Sequence, residues 1–205
     1  MYKILGAVLV LGIIGIGAMF ILNDNNTNPQ SAENNNQPTM TQEEINKKVA
    51  EGKVAVVETN YGTFKFQFYG AEAPKTSENF KKLALNNFYD GLIFHRIIGG
   101  FMIQGGDPNG TGTGGPGYKF EDELNSQALA KQGYKKGIVA MANSGPNTNG
   151  SQFFVMLADY PLPYNYTIFG KVIEGQEVVD KIGKVQTGSG DRPVQPVVMQ
   201  KVTIE

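Results

Sequence analysis

Phe64, Phe66 and Phe68 alternate with Lys65 and Gln67. A period of two turns one face of a strand to a core and the other to water. Short strand-like runs recur down the chain from Val54, and they are the feature that most limits the fold. Val54–Thr59 precedes the turn Asn60-Tyr61-Gly62, and further strands are predicted at Phe94–Ile97, Met102–Gly105, Ile138–Met141, Phe153–Leu157, Thr167–Val172 and Val197–Ile204. Two segments read as helices. Lys75–Asn86 follows Pro74, which suits a first helical turn, and sets Phe80, Leu83 and Ala84 on one face. Gln176–Ile182 carries Val178, Val179 and Ile182 and stops at Gly183. Many short strands with two helices predict a mainly β protein, a closed antiparallel barrel.

Composition removes several classes of function. The 205 residues allow one domain and an appendage. A net charge of −1 argues against nucleic acid as a partner, because phosphate binding needs a basic face. With no cysteine, there is no disulfide, zinc–thiolate site or cysteine nucleophile. His95 is the single histidine, so no multi-histidine metal site can form, and neither metal nor cofactor is expected.

Residues 1–22 have a separate character. Ile4 to Leu22 holds no charged side chain, and as a helix it would span roughly 28 Å, close to a bilayer's hydrocarbon core. Lys3 precedes it, and the next Lys or Arg is Lys47. The positive-inside bias then predicts a single-pass anchor in the cytoplasmic membrane through residues 4–22, with the rest outside. The rival reading is a cleaved export signal and a secreted protein. Gly15-Ile16-Gly17 offers small residues, but no Ala-x-Ala is present. Residues 23–41, rich in Asn and Gln, cannot bury enough surface to order themselves and read as a disordered linker. Residues 42–52 read as a short helical lead-in, with Ile45 and Val49 at i, i+4 spacing, and residues 53–205 as the folded domain.

Two segments carry the chemistry. Phe94-His95-Arg96-Ile97-Ile98-Gly99-Gly100-Phe101-Met102-Ile103-Gln104-Gly105-Gly106-Asp107 sets one permanent cation and one amide among large apolar side chains. Met141-Ala142-Asn143-Ser144-Gly145-Pro146-Asn147-Thr148-Asn149-Gly150-Ser151-Gln152-Phe153-Phe154 follows in the right order. Together they resemble the cyclophilins, the cyclosporin-binding class of peptidyl-prolyl cis-trans isomerases, and the resemblance runs from about Val54 to Glu205. It implies an eight-stranded barrel capped by two helices and, as partner, proline-containing polypeptides. Arg96 falls on the family's catalytic arginine. Gln104 looks like the glutamine that hydrogen-bonds substrate backbone and helps orient that arginine. By resemblance Phe101, Met102, Phe154 and Leu162 form the proline cup. The main chain of Asn143 would bind substrate before the proline, and Ala142, Ser144 and Gln152 would line the neighbouring groove. Tyr166 stands where the family often has histidine, and can supply an aromatic wall and a hydroxyl donor.

Each of these residues also has a plainer reading. Arg96 alone reads as a surface arginine paired with a carboxylate, and Gln104 as a turn amide. The apolar four read as core, since periodicity does not separate pocket lining from core. His95 is expected to be a packed core histidine, because prolyl isomerisation needs no acid–base group. The glycine-rich run Gly105–Gly117 lacks the ending of a P-loop and the acidic spacing of a calcium loop, and reads as a structured loop along the groove.

One position departs from the family. Cyclophilins that bind cyclosporin tightly carry a tryptophan just before the equivalent of Leu162, and here that place is Pro161. Retained activity with weak cyclosporin binding is therefore expected. The leading function is a membrane-tethered isomerase, a monomer, that assists folding of exported proteins. The alternative is a non-catalytic module that grips proline-containing peptides.

Overall fold

A computed structural model describes residues 40–205. The expected anchor at 4–22, and all of the expected linker up to residue 39, lie outside the described residues. Among the described residues no helix is long and apolar enough to cross a membrane.

Eight strands form the body: β1 (Val54–Thr59), β2 (Gly62–Phe68), β3 (Phe94–Ile98), β4 (Met102–Gly105), β5 (Ile138–Met141), β6 (Phe153–Met156), β7 (Ile168–Glu174) and β8 (Met199–Ile204). They make one sheet in the order β3-β4-β6-β5-β7-β2-β1-β8, with every neighbouring pair antiparallel. The eight predicted strands are all present. Closure is less complete than expected: the sheet curls into a half-barrel. Its outer strands meet at one end, where Ile93 bridges Val198 and the Phe94 N–H donates to the Val197 carbonyl at 2.9 Å.

The alternation in β2 does what its period demands. Phe64 and Phe66 are fully buried inside the curl. Phe66 meets Phe80 and Phe169 edge-on at 5.2 and 5.8 Å, and Phe80 stacks on Tyr89 at 4.6 Å. This aromatic packing, with Val57, Val139, Val155 and Val202, fills the interior.

Among the described residues there are four α-helices, α1 (Gln42–Glu51), α2 (Pro74–Leu85), α3 (Gln127–Gln132) and α4 (Gln176–Ile182); α1 is the expected lead-in, and only α3 was not anticipated. The two helices expected to cap the barrel, α2 and α4, bury Phe80, Ala84, Val179 and Ile182 against the interior. The third, α3, has no long apolar periodicity to announce it. Ser126 caps it by accepting from the Leu129 N–H at 3.3 Å, and Leu129 is its one buried residue. At the start of the described chain, α1 opens with a capping box between Thr41 and Glu44. It docks onto the sheet and α2 through lysines: Lys48 Nζ donates to the Ile204 carbonyl and Lys81 Nζ to the Val49 carbonyl, each at 3.0 Å.

Candidate active site

A second apolar cluster lies on the other face of the sheet. It comprises Met102, Leu129, Tyr134, Ile138, Ala140, Phe154, Met156 and Ile168, with Phe101, Leu162 and Tyr166 packed against it. The register explains its position. Residues paired across an antiparallel ladder share a face. Arg96 pairs with Gln104, Gln104 with Phe154, and Phe154 with Ala140. One row therefore runs from a cation, through an amide, to an aromatic ring.

A bulge puts Arg96 in that row. Phe94 is paired with Gly105 and Arg96 with Gln104, so two steps on β3 match one on β4 and His95 is the extra residue. Without the shift, Phe94 and Arg96 would share a face, since residues two apart do so on a regular strand. Phe94 is fully buried in the interior, so an unbulged β3 would drive a guanidinium there as well. The extra residue re-aims Arg96 outward, as bulges beside functional sites commonly do.

On this face lies a hollow of about 340 Å³. Phe101, Met102, Phe154, Leu162 and Tyr166 form its apolar wall, and Arg96, Gln104, Ala142 and Asn143 its polar side. Met102 and Phe154 are almost wholly buried, and the Phe154 and Tyr166 rings meet edge-on at 5.7 Å. Ser144 and Gln152 do not line this hollow. They line an adjoining groove of about 610 Å³ that shares Gln104, Ala142 and Asn143 with it. All eleven residues singled out in the sequence thus fall on two joined depressions, although they come from β3, β4, β6 and three loops.

Hydrogen bonds hold the walls. Gln104 Nε2 donates to Gln152 Oε1 at 2.9 Å, and Gln152 Nε2 to the Gly114 carbonyl at 2.9 Å. Asn143 Nδ2 donates to the Asn165 carbonyl at 2.9 Å. Among the described residues the main chain of Asn143 makes no hydrogen bond, which leaves its N–H and carbonyl open to the hollow's edge. The Tyr134 hydroxyl donates to the Tyr166 carbonyl at 2.8 Å and accepts from the Tyr166 N–H at 3.0 Å. Burial pushes the Tyr134 phenol up to about 12. The glycine-rich loop is tied to the carboxylate of Asp107, which accepts from the N–H groups of Asn109, Thr111 and Gly112 at 2.8, 3.0 and 2.6 Å. Burial by itself would raise the Asp107 pKa, but these bonds outweigh it and hold it below its ordinary value. Gly114 has no room for a side chain, because a Cβ there would strike Asp107 Oδ1.

Arg96 is restrained differently from expectation. Although Gln104 is its register partner, the Gln104 amide donates to Gln152 instead. The contact to Arg96 comes from Asp191, where Nε donates to Oδ2 at 3.2 Å. Sequence reading missed Asp191: it sits alone in the loop Gly188-Ser189-Gly190-Asp191-Arg192-Pro193, ninety-five residues from Arg96, with no local pattern to mark it. His95 is buried, as anticipated, with neither ring nitrogen hydrogen-bonded among the described residues. Its burial lowers its pKa, and the charges of Arg192 and Arg96 act in the same direction against Asp107.

Residues 53–204 match the family described as cyclophilin type peptidyl-prolyl cis-trans isomerase/CLD. The chain belongs to the cyclophilin family. An Arabidopsis thaliana peptidyl-prolyl cis-trans isomerase is 53% identical over 150 residues, covering 71% of this chain and 92% of that one. Peptidyl-prolyl cis-trans isomerase A of Mycobacterium tuberculosis is 48% identical over 168 residues, covering 73% and 91%. A cyclophilin-type isomerase of Cryptosporidium parvum, crystallised in the presence of the dipeptide Ala-Pro, superposes with a TM-score of 0.70 at 38% identity, covering 75% of this cyclophilin and 99% of that chain. This cyclophilin is therefore a peptidyl-prolyl cis-trans isomerase.

Proposed function

We propose that this isomerase works by presenting the Arg96 guanidinium to the prolyl nitrogen of a substrate whose proline ring fills the 340 Å³ hollow. The carrying observation is that one depression holds a fixed cation and an amide beside an apolar cup of Phe101, Met102, Phe154 and Leu162. Rotation about an X–Pro bond breaks amide resonance, at a barrier of about 18–20 kcal/mol. No bond is made or cut, so the catalyst must favour the twisted amide over both planar forms. Twisting pyramidalises the prolyl nitrogen and returns its lone pair, which a charged donor then binds more tightly than in the planar states. Such a hydrogen bond contributes about 1.5–3 kcal/mol, or tenfold to a hundredfold in rate. Gripping the ring and holding the substrate backbone supply the remainder. Gln104 and the free main chain of Asn143 take the backbone role. The groove of Ala142, Ser144 and Gln152 takes the residue before proline.

Conversion of succinyl-Ala-Ala-Pro-Phe by the full chain and by Arg96→Ala tests this reading. A fall of at least about tenfold in kcat/KM, with an unchanged unfolding midpoint, is expected from the lost charged bond. An Arg96→Ala protein of full activity would refute it.

The cellular setting extends the same reading. The apolar run at 4–22 tethers a monomeric isomerase outside the cytoplasmic membrane, where exported proteins fold. Protease added to intact cells should then remove the folded domain; survival of the domain until lysis would rule the placement out. Cyclosporin binds weakly, because Pro161 supplies neither the ring nor the N–H of a tryptophan. Tight binding in a direct titration would overturn that expectation.

A further inference from the structure

An arginine side chain reaches far and turns freely, so a useful donor at its tip has to be held. The Arg96 side chain is about half exposed, and on one flank it borders a hollow of about 370 Å³ that also touches Gly112, Gly190 and Arg192. Among the described residues no large apolar side chain lines that flank, so packing there does not brace the guanidinium. The bond from Nε to Asp191 Oδ2 at 3.2 Å does.

We propose that Asp191 is the positioning residue of this isomerase. By taking Nε it fixes the guanidinium plane and leaves the terminal Nη groups for the prolyl amide. The inference rests on the reading of Arg96 given above.

The backbone supports the assignment. Asp191 ends a short 3₁₀ turn, Ser189–Asp191, and adopts φ 59°, a left-handed conformation that side chains seldom take and that Asp tolerates better than most. The turn is clamped on both sides of that carboxylate. Arg192 Nη1 donates to the Gly110 carbonyl at 2.8 Å, the Gly188 N–H to the Arg192 carbonyl at 2.8 Å, and the Val194 N–H to the Gln186 carbonyl at 2.9 Å. A surface ion pair between two free side chains has little directional value. Here one partner is set on a braced turn and the other on a bulge, and that makes the pair a positioning device.

The test uses the full chain and the proline tetrapeptide. Asp191→Gly removes the carboxylate while accepting φ 59° without strain. Asp191→Asn keeps an acceptor of the same reach and also tolerates that backbone. Asp191→Gly is expected to lower kcat by about fivefold to tenfold with KM changed less than about twofold, since the donor acts in the transition state. Asp191→Asn should recover most of the loss. In an Arg96→Ala background Asp191→Gly should have no further effect, which a merely structural role would not produce. The positioning role is overturned if Asp191→Gly retains wild-type kcat while Arg96→Ala is impaired. Equal losses from Asp191→Gly with and without Arg96 overturn it too. If Arg96→Ala is itself fully active, the reading of Arg96 fails first and the role of Asp191 falls with it.

Discussion

Phe153 and Phe154 are neighbours on β6, are both buried, and serve opposite ends. Phe153 points into the curl and packs edge-on against Phe80, Tyr89 and Phe94 at 5.4, 5.8 and 6.0 Å. Phe154 points to the other face, where it lines the 340 Å³ hollow. The interior cluster is aromatic and filled. The outer cluster is richer in Met and Tyr and leaves a cavity. A strand buried on both faces is thus a wall shared by two apolar environments, one that holds the fold and one proposed to bind substrate. Hydrophobicity does not distinguish them; what distinguishes them is whether the facing side is complete.

Four substitutions sharpen that contrast. Phe153→Ala should cost about 3–5 kcal/mol in denaturant unfolding, because it empties a site closed on all sides. Phe154→Ala should cost about half as much, since its ring already borders a void, yet lower kcat/KM at least tenfold, mainly through KM. Equal unfolding costs for the two would erase the distinction. Tyr134→Phe should cost about 1 kcal/mol, by orphaning the Tyr166 N–H and carbonyl, and loosen the wall enough to raise KM a few-fold. An unchanged KM would mean that Tyr166 does not shape the hollow.

The smallest effect concerns His95, between the two faces. Its folded pKa lies below its ordinary value of 6.5, so the unfolded chain binds more protons below that pH. The stability it contributes is complete above pH 6.5 and is lost as pH falls through the folded value. Asp107 opposes the depression, and Arg192 and Arg96 reinforce it. Thermal midpoints measured from about pH 7 down to about pH 5 should therefore fall more for the wild type than for His95→Gln. Parallel curves would show that His95 carries no such linkage.

Much of this protein was legible along the chain. Alternating or short apolar runs placed all eight strands, Pro74 and Gly183 marked the start of α2 and the end of α4, and the resemblance carried by the two motifs named the residues that line the joined depressions. These are local signals: alternation and punctuation act over a few residues, and each motif is a run of consecutive residues. Three features were decided only by the tertiary structure. The short helix α3 owes its place to Leu129 entering the outer cluster, not to a pattern of its own. The bulge at His95 reverses the face on which Arg96 emerges, and a ladder shift depends on the partner strand, which one strand's sequence does not specify. The pairing of Arg96 with Asp191 joins residues ninety-five apart in a loop without periodicity. Sequence pattern determined which residues could form strands and which types the chemistry required; register and loop closure determined which face they occupy and what holds them still, because both are set by contacts between segments that are distant in the chain.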